Sequence, residues 1–316
     1  MAPPSGRPLP PLVALLAAAL ALGATGCGSD AADPDAATVA SAAVPSATAP
    51  SSGPPAAPAA TTGPTTTGKP ATTPGSASPE RTTTAASAAS DDPPLTGRTV
   101  VVDPGHNGAN GANPSRINRL VPSGVGRKAC NTTGTESVTG LSESRFNWLV
   151  AGHTVRALRA RGAKVVLTRR NDRGVGPCVD RRAAIANDAE ADVSVSIHAD
   201  GGPSGGRGFH VILPGRVAQV RGHDRIVTPS RRLGRAVRDA FRRGTGLPHS
   251  TYLGSAGLDT RTDLGGLNLL RVPGVMLETG NMRNARDARR MADAEWRRRA
   301  GRAIARGVER FLVSRR

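Results

Sequence analysis

Val193-Ser194-Val195-Ser196-Ile197-His198-Ala199-Asp200 is an apolar stretch that runs directly into side chains capable of chemistry. Two other stretches have the same form, Val100-Val101-Val102-Asp103-Pro104-Gly105-His106 and Val275-Met276-Leu277-Glu278-Thr279-Gly280. If the three are parallel strands of one sheet, their polar ends converge in the crevice outside the carboxyl ends of the strands, where α/β folds place their chemistry. Two histidines and a glutamate arriving there point to a metal hydrolase.

Working outward, the pattern alternates between strands and helices. A strand over 98–102 stops at the turn-forming Asp103-Pro104-Gly105, and a long loop over 107–140, rich in Gly, Asn, Ser and Thr, suggests a binding loop rather than a mere connection. Residues 141–160 place Phe146, Leu149, Val150, Ala157 and Leu158 at helical spacing, with Ser142 as the expected cap. Glu143 falls in the first turn, on the buried face with Phe146 and Val150. Gly162 ends that helix. A strand over 163–168, a helix over 179–189, a strand over 193–197, a glycine-rich turn over 201–208 and a strand over 209–213 follow. Helix 230–241, a loop over 244–266, the short run 267–270, strand 275–277 and an arginine-rich helix 285–312 complete the chain. The rhythm predicts a single α/β domain over 96–316, with a mixed, mostly parallel central sheet flanked by helices.

The residues before it read differently. Residues 1–27 have one positive charge, Arg7, an apolar run over 12–22 and the ending Ala24-Thr25-Gly26-Cys27. This is the form of a signal peptide, and its apolar run is shorter than the about 20 residues that span a bilayer. The small residues before Cys27 resemble a bacterial lipoprotein processing site, so lipidation of Cys27, with a membrane tether, is favoured over simple secretion. Residues 28–95 are Ala, Ser, Thr, Pro and Gly with almost no large apolar side chain, and are expected to form a disordered linker. The expected location is therefore outside the cytoplasm.

Charge and cysteines follow the same division. Residues 96–316 hold 39 basic against 18 acidic residues, a net charge of +21. Such a balance suits a polyanion or is a solvated arginine-rich surface. Export argues against nucleic acid and leaves anionic wall polymers as the partner. Cys130 and Cys178 remain as an even pair in an exported domain, which predicts a disulfide; closing a 48-residue separation would contribute about 4 kcal/mol in the chain-entropy model.

His106, Glu143 and His198 are too far apart in sequence for a local finger or a helix-borne zinc motif, so they meet only through the fold. Two imidazoles and a carboxylate form a common ligand set for catalytic Zn2+, and Glu278, from another strand, would carry the proton of the hydrolytic water. Singly, each has a plainer role: His106 and Glu278 as caps, His198 as an edge residue, and Glu143 as a partner of the helix dipole. Together at three strand mouths and one helix start they favour chemistry. His153, His210, His223 and His249 are expected to be surface or packing residues.

These motifs carry a resemblance. Val-Val-Asp-Pro-Gly-His-Asn-Gly at 101–108, Glu143 with Asn147, Ser-Ile-His-Ala-Asp at 196–200 and Met-Leu-Glu-Thr-Gly-Asn-Met-Arg-Asn at 276–284 resemble the zinc-dependent N-acetylmuramoyl-L-alanine amidases of bacterial cell walls. The paired cysteines resemble the actinobacterial branch. The resemblance implies hydrolysis of the amide between N-acetylmuramic acid and L-alanine in peptidoglycan. It assigns His106, Glu143 and His198 as zinc ligands and Glu278 as the catalytic glutamate. Asn107 replaces a frequent glycine and Asp200 a frequent asparagine. No segment reads as a helix blocking the site, so a constitutively active monomer is expected. The alternatives are a zinc peptidase cutting stem peptides and a non-catalytic protein that binds anionic wall polymer.

Overall fold

Three valines in a row, Val100, Val101 and Val102, are all fully buried because the strand that holds them is covered on both faces. The computed structural model describes residues 92–314. Its strands are β1 (Thr99–Pro104), β2 (Leu120–Pro122), β3 (Arg127–Ala129), β4 (Lys164–Leu167), β5 (Val193–Asp200), β6 (His210–Pro214), β7 (Leu258–Arg261) and β8 (Gly274–Asn281). Its helices are α1 (Pro114–Ile117), α2 (Glu143–Arg159), α3 (Val179–Asp188), α4 (Asp224–Thr245), α5 (Gly265–Asn268), α6 (Ala285–Ala292) and α7 (Ala294–Val313).

The central sheet has the order β4-β1-β5-β8-β6-β7, and every neighbouring pair is parallel except β8 with β6. The mixed, mostly parallel α/β architecture is therefore as the sequence implies. Alternation along β1 sends Val100 and Val102 into the larger core with Phe146, Val237 and Ile304, and Val101 into a second core with Ala183, Ile212 and Leu267. Helices α2, α4 and α7 supply the first layer, and α3 and α5 the second.

Helix α7 packs between α2 and α4 through glycines. A β-carbon on Gly301 would lie 2.5 Å from the His153 β-carbon and 2.8 Å from the Thr154 backbone nitrogen, and one on Gly307 would lie 2.5 Å from the Val237 α-carbon. These contacts involve backbone, which cannot swing aside.

Several expectations are corrected. Strands β5 and β8 continue past 197 and 277, so His198 and Glu278 lie inside the sheet, paired in register, rather than beyond it. The 107–140 loop contains α1 and the β2–β3 hairpin, and the 244–266 loop contains β7; three- and four-residue strands of mixed polarity carry too weak a periodic signal. Helix α4 begins at Asp224, before Pro229, because the missing proline N–H forfeits one bond while Ile226 already anchors the turn in the core. The expected terminal helix is two helices. Asp293 between them is extended, and its carboxylate caps α7 by accepting from the Trp296 backbone N–H at 2.6 Å. Ser142 stands at the N-cap of α2 without a capping hydrogen bond from its side chain. Leu95, assigned to the linker, is fully buried, and its N–H donates to Arg161 O at 2.8 Å, so it belongs to the domain. The signal peptide, Cys27 and residues 28–91 of the linker lie outside the described residues.

Replacing Gly301 by valine should force α7 away from α2 and destabilise the fold by about 1–3 kcal/mol. Chemical denaturation checks this, and an unchanged midpoint would mean that the two helices are not held at that contact.

Candidate metal centre

The turn after β1 begins the site. His106 has φ 56°, a left-handed conformation that costs a non-glycine residue of order 1 kcal/mol or more, so something must hold it. Two buried guanidinium groups do. Arg182 donates to Asp103 Oδ1 (2.6 Å), Pro104 O (2.8 Å), His106 O (2.9 Å) and Asn107 Oδ1 (2.6 Å). Arg169 donates to Pro104 O (2.8 Å) and to Ser144 O (2.7 Å), which ties the turn to the start of α2. Only glycine fits at 105, since a β-carbon there would lie 2.3 Å from the His198 ring.

Asp103, expected as a turn-forming or supporting residue, is the anionic partner in this arrangement. Burial alone would push its carboxyl up, but Arg182 and the Thr168 and Ser196 hydroxyls outweigh burial and bring its pKa to about 2.

Glu143 opens α2 and points into the interior, 4% exposed, as its helical phase requires. Its Oε2 accepts from the Thr135 N–H at 3.0 Å and its Oε1 from the Ala199 N–H at 3.1 Å, so both oxygens are fixed by backbone. Each oxygen also faces a histidine, Oε2 at 3.1 Å from His106 Nε2 and Oε1 at 3.0 Å from His198 Nδ1. His106 Nδ1 lies 3.1 Å from the Thr132 carbonyl, which can only accept, so that nitrogen carries a proton. The neutral ring would then turn a lone pair at Nε2 toward the carboxylate. Two facing acceptors repel unless a proton or a cation stands between them. Burial opposes a charge on His106, but Glu143 and the Thr132 carbonyl raise its pKa all the same, and Glu143 in turn is held below the ordinary carboxylate range by the two histidines despite its burial. The ligand atoms of His106, Glu143 and His198 all lie within 4.8 Å of one another. The donor set and its demand for positive charge fit a divalent metal of the zinc type.

Glu278 stands beside this cluster. It pairs with His198 across β5–β8 and with His210 across β6–β8, so the three side chains share one sheet face. It is half-buried, its Oε2 has no hydrogen-bond partner among the described residues, and its pKa is raised well above the usual carboxylate range by burial, then by the charges of Glu143 and Asp200. Asp200 itself accepts from the Tyr252 hydroxyl at 2.9 Å. Two cavities meet here, one of about 500 Å³ bordered by Lys128, Arg261 and Met276, the other of about 470 Å³ bordered by Thr133, Thr135 and Asp200. His106, His198 and Glu278 line both.

All four candidate residues are thus brought together. His210 and His223 are buried packing residues and His153 and His249 are half-buried, all outside the cluster. Cys130 and Cys178 form the expected disulfide. Sequence reasoning missed Arg182, Arg169, Thr132 and Tyr252. Arg182 had left one signal: it stands three residues after Val179 and one before buried Ala183, on the inward stripe of α3.

The family model for N-acetylmuramoyl-L-alanine amidase matches residues 100–310. The chain belongs to the N-acetylmuramoyl-L-alanine amidase family. It is similar to an N-acetylmuramoyl-L-alanine amidase of Mycobacterium tuberculosis, 42% identical over 223 residues that cover 70% of this chain and 88% of that protein. Among solved structures, the N-acetylmuramyl-L-alanine amidase Ami1 of Mycobacterium smegmatis matches with a TM-score of 0.65 at 42% identity, covering 70% of this chain and 99% of that one. The apo Ami1 of Mycobacterium abscessus matches with a TM-score of 0.63 at 41% identity, covering 69% and 100%. The family match spans all four clustered residues of this amidase-family chain.

Two outcomes follow from the geometry. Because the Asp103 pKa is depressed, its contribution, on the order of 2 kcal/mol, is present above about pH 4 and lost as pH falls toward about 2. Asp103→Asn should therefore lower stability at neutral pH and flatten the acid limb of a stability-against-pH curve; a parallel curve would contradict this. Adding Zn2+ should raise the melting temperature, since the ion binds the folded site, and Glu143→Gln should abolish that rise; an undiminished rise would remove Glu143 from the centre.

Proposed function

We propose that this protein is a zinc-dependent peptidoglycan hydrolase that cleaves the amide between N-acetylmuramic acid and the L-alanine of the stem peptide. The observation that carries this reading is the carboxylate of Glu143 fixed between His106 and His198, with Glu278 on the adjoining strand keeping its Oε2 free of hydrogen bonds among the described residues. The relatives' names support the bond that is cut.

His106, Glu143 and His198 would hold the metal. Zinc in such a site acidifies a water and polarises a carbonyl oxygen. Glu278 takes the proton of the attacking water and passes it to the leaving amine of L-alanine, acting as base and then as acid. Its raised pKa suits the second role, because the carboxyl holds the proton until the amine departs. The Arg182 and Arg169 contacts keep His106 in place throughout, so binding energy need not be used to organise the turn. The two cavities that share His106, His198 and Glu278 offer room for the substrate beside the proton carrier.

The setting is extracytoplasmic. The disulfide suits an oxidising compartment, and a lipid on Cys27 would tether the protein to the membrane; no helix among the described residues is long and apolar enough to cross one. The partner is peptidoglycan, with the basic surface supplying attraction to anionic wall polymers and the monomer acting without a blocking helix.

Digestion of purified peptidoglycan by the protein should release intact stem peptides with free N-terminal L-alanine. Chelation should stop the release and Zn2+ restore it, while Glu278→Gln should lower it by about 10²–10⁴-fold and still bind zinc. Peptides cut internally would identify a stem peptidase, and equal activity in all samples would overturn the mechanism.

A further inference from the structure

Outside the metal centre, the break between α6 and α7 creates a second charged cleft. It has a volume of about 660 Å³ and is lined by Arg207, Arg286, Arg289, Arg290 and Arg299, with Trp296 and Thr245 behind them. In an unbroken helix, Arg299 would lie about 180° around the axis from Arg290 and face another direction. The extended Asp293 turns α7 relative to α6 and brings the two arginine sets to one concavity.

The cleft is rich in donors and short of acceptors: Arg207 and Arg299 have only long ion pairs, to Asp287 at 3.8 Å and to Glu295 at 3.9 Å. Asp293 is the one carboxylate among its lining residues, and it is engaged at the α7 cap. Arg286 and Arg289 are exposed and have no ion pair or side-chain hydrogen bond among the described residues. Arg290 Nη1 and the indole N–H of Trp296, a residue only 2% exposed, are buried without an acceptor among the described residues. Buried donors left unpaired cost free energy that a ligand bearing several oxygens would recover. Guanidinium forks match phosphate, and a volume of this size exceeds a single phosphate group. The surface is concave, and none of the exposed large apolar residues, Leu120, Val125, Val138, Leu253 or Val313, lines it, so nothing there would enter a bilayer.

We propose that this cleft binds the phosphate groups of a linear phosphodiester polymer, independently of the amidase site. The probe is poly(glycerol phosphate), a linear phosphodiester polymer, titrated against the full chain at several salt concentrations. Arg286→Ala/Arg289→Ala should weaken binding by at least about tenfold and reduce its salt dependence, because charge-assisted contacts are lost. Arg231→Ala/Arg232→Ala, which removes two exposed charges from α4 outside the cleft, should retain most of the affinity. Both variants should keep the parent melting temperature and hydrolyse soluble peptidoglycan fragments at the parent rate. Equal losses of affinity in the two variants would reduce the cleft to general charge and overturn the proposal. So would equally strong, Arg286/Arg289-dependent binding to phosphatidylglycerol vesicles, equal competition by poly-glutamate, or a parallel loss of hydrolysis.

Discussion

A buried carboxylate stays ionised only when positive charge or hydrogen-bond donors are brought to it, and Glu143 imposes that requirement on the elements around it. Helix α2 starts where it does to aim this side chain inward, and two backbone N–H groups, from Thr135 and Ala199, fix its oxygens. The two histidines approach from β1 and β5, so three elements far apart in sequence are registered against one another by a single negative charge. Moving any of them leaves an unpaired charge in the interior, which costs several kcal/mol.

The supporting contacts form a hierarchy around that charge. Arg182 and Arg169 hold the left-handed turn at His106, and Asp103 neutralises Arg182. Glu278 is pushed the other way, first by burial and then by the charges of Glu143 and Asp200, which together outweigh the opposing charge of Arg261. Two glutamates lining one cavity thus acquire opposite tendencies from burial and neighbours alone, one to stay ionised and one to hold a proton.

Much of this was legible in the sequence. The long apolar runs give β1, β5 and β8, and the 3.6-residue spacing from Glu143 to Phe146 and Val150 turns the glutamate inward. What was not legible depended on tertiary contact. Strand β7 has no apolar pattern and exists because β6 offers it an edge; the break at Asp293 competes with a strongly helical surrounding sequence and is decided by one capping carboxylate. Among so many arginines, Arg182 and Arg169 could not be distinguished by composition, although the position of Arg182 on the inward stripe of α3 was a usable clue.

The Cys130–Cys178 bond joins the end of the β2–β3 hairpin to the first residue before α3. Thr132, whose carbonyl sets the His106 tautomer, lies two residues beyond one cysteine, and Arg182 lies one helical turn beyond the other. Both supports of that histidine are therefore anchored to one covalent crosslink that forms only in oxidising surroundings. The crosslink thereby braces one imidazole from two sides, because without it the Thr132 carbonyl and the Arg182 guanidinium would stand on segments joined only through 48 residues of intervening chain.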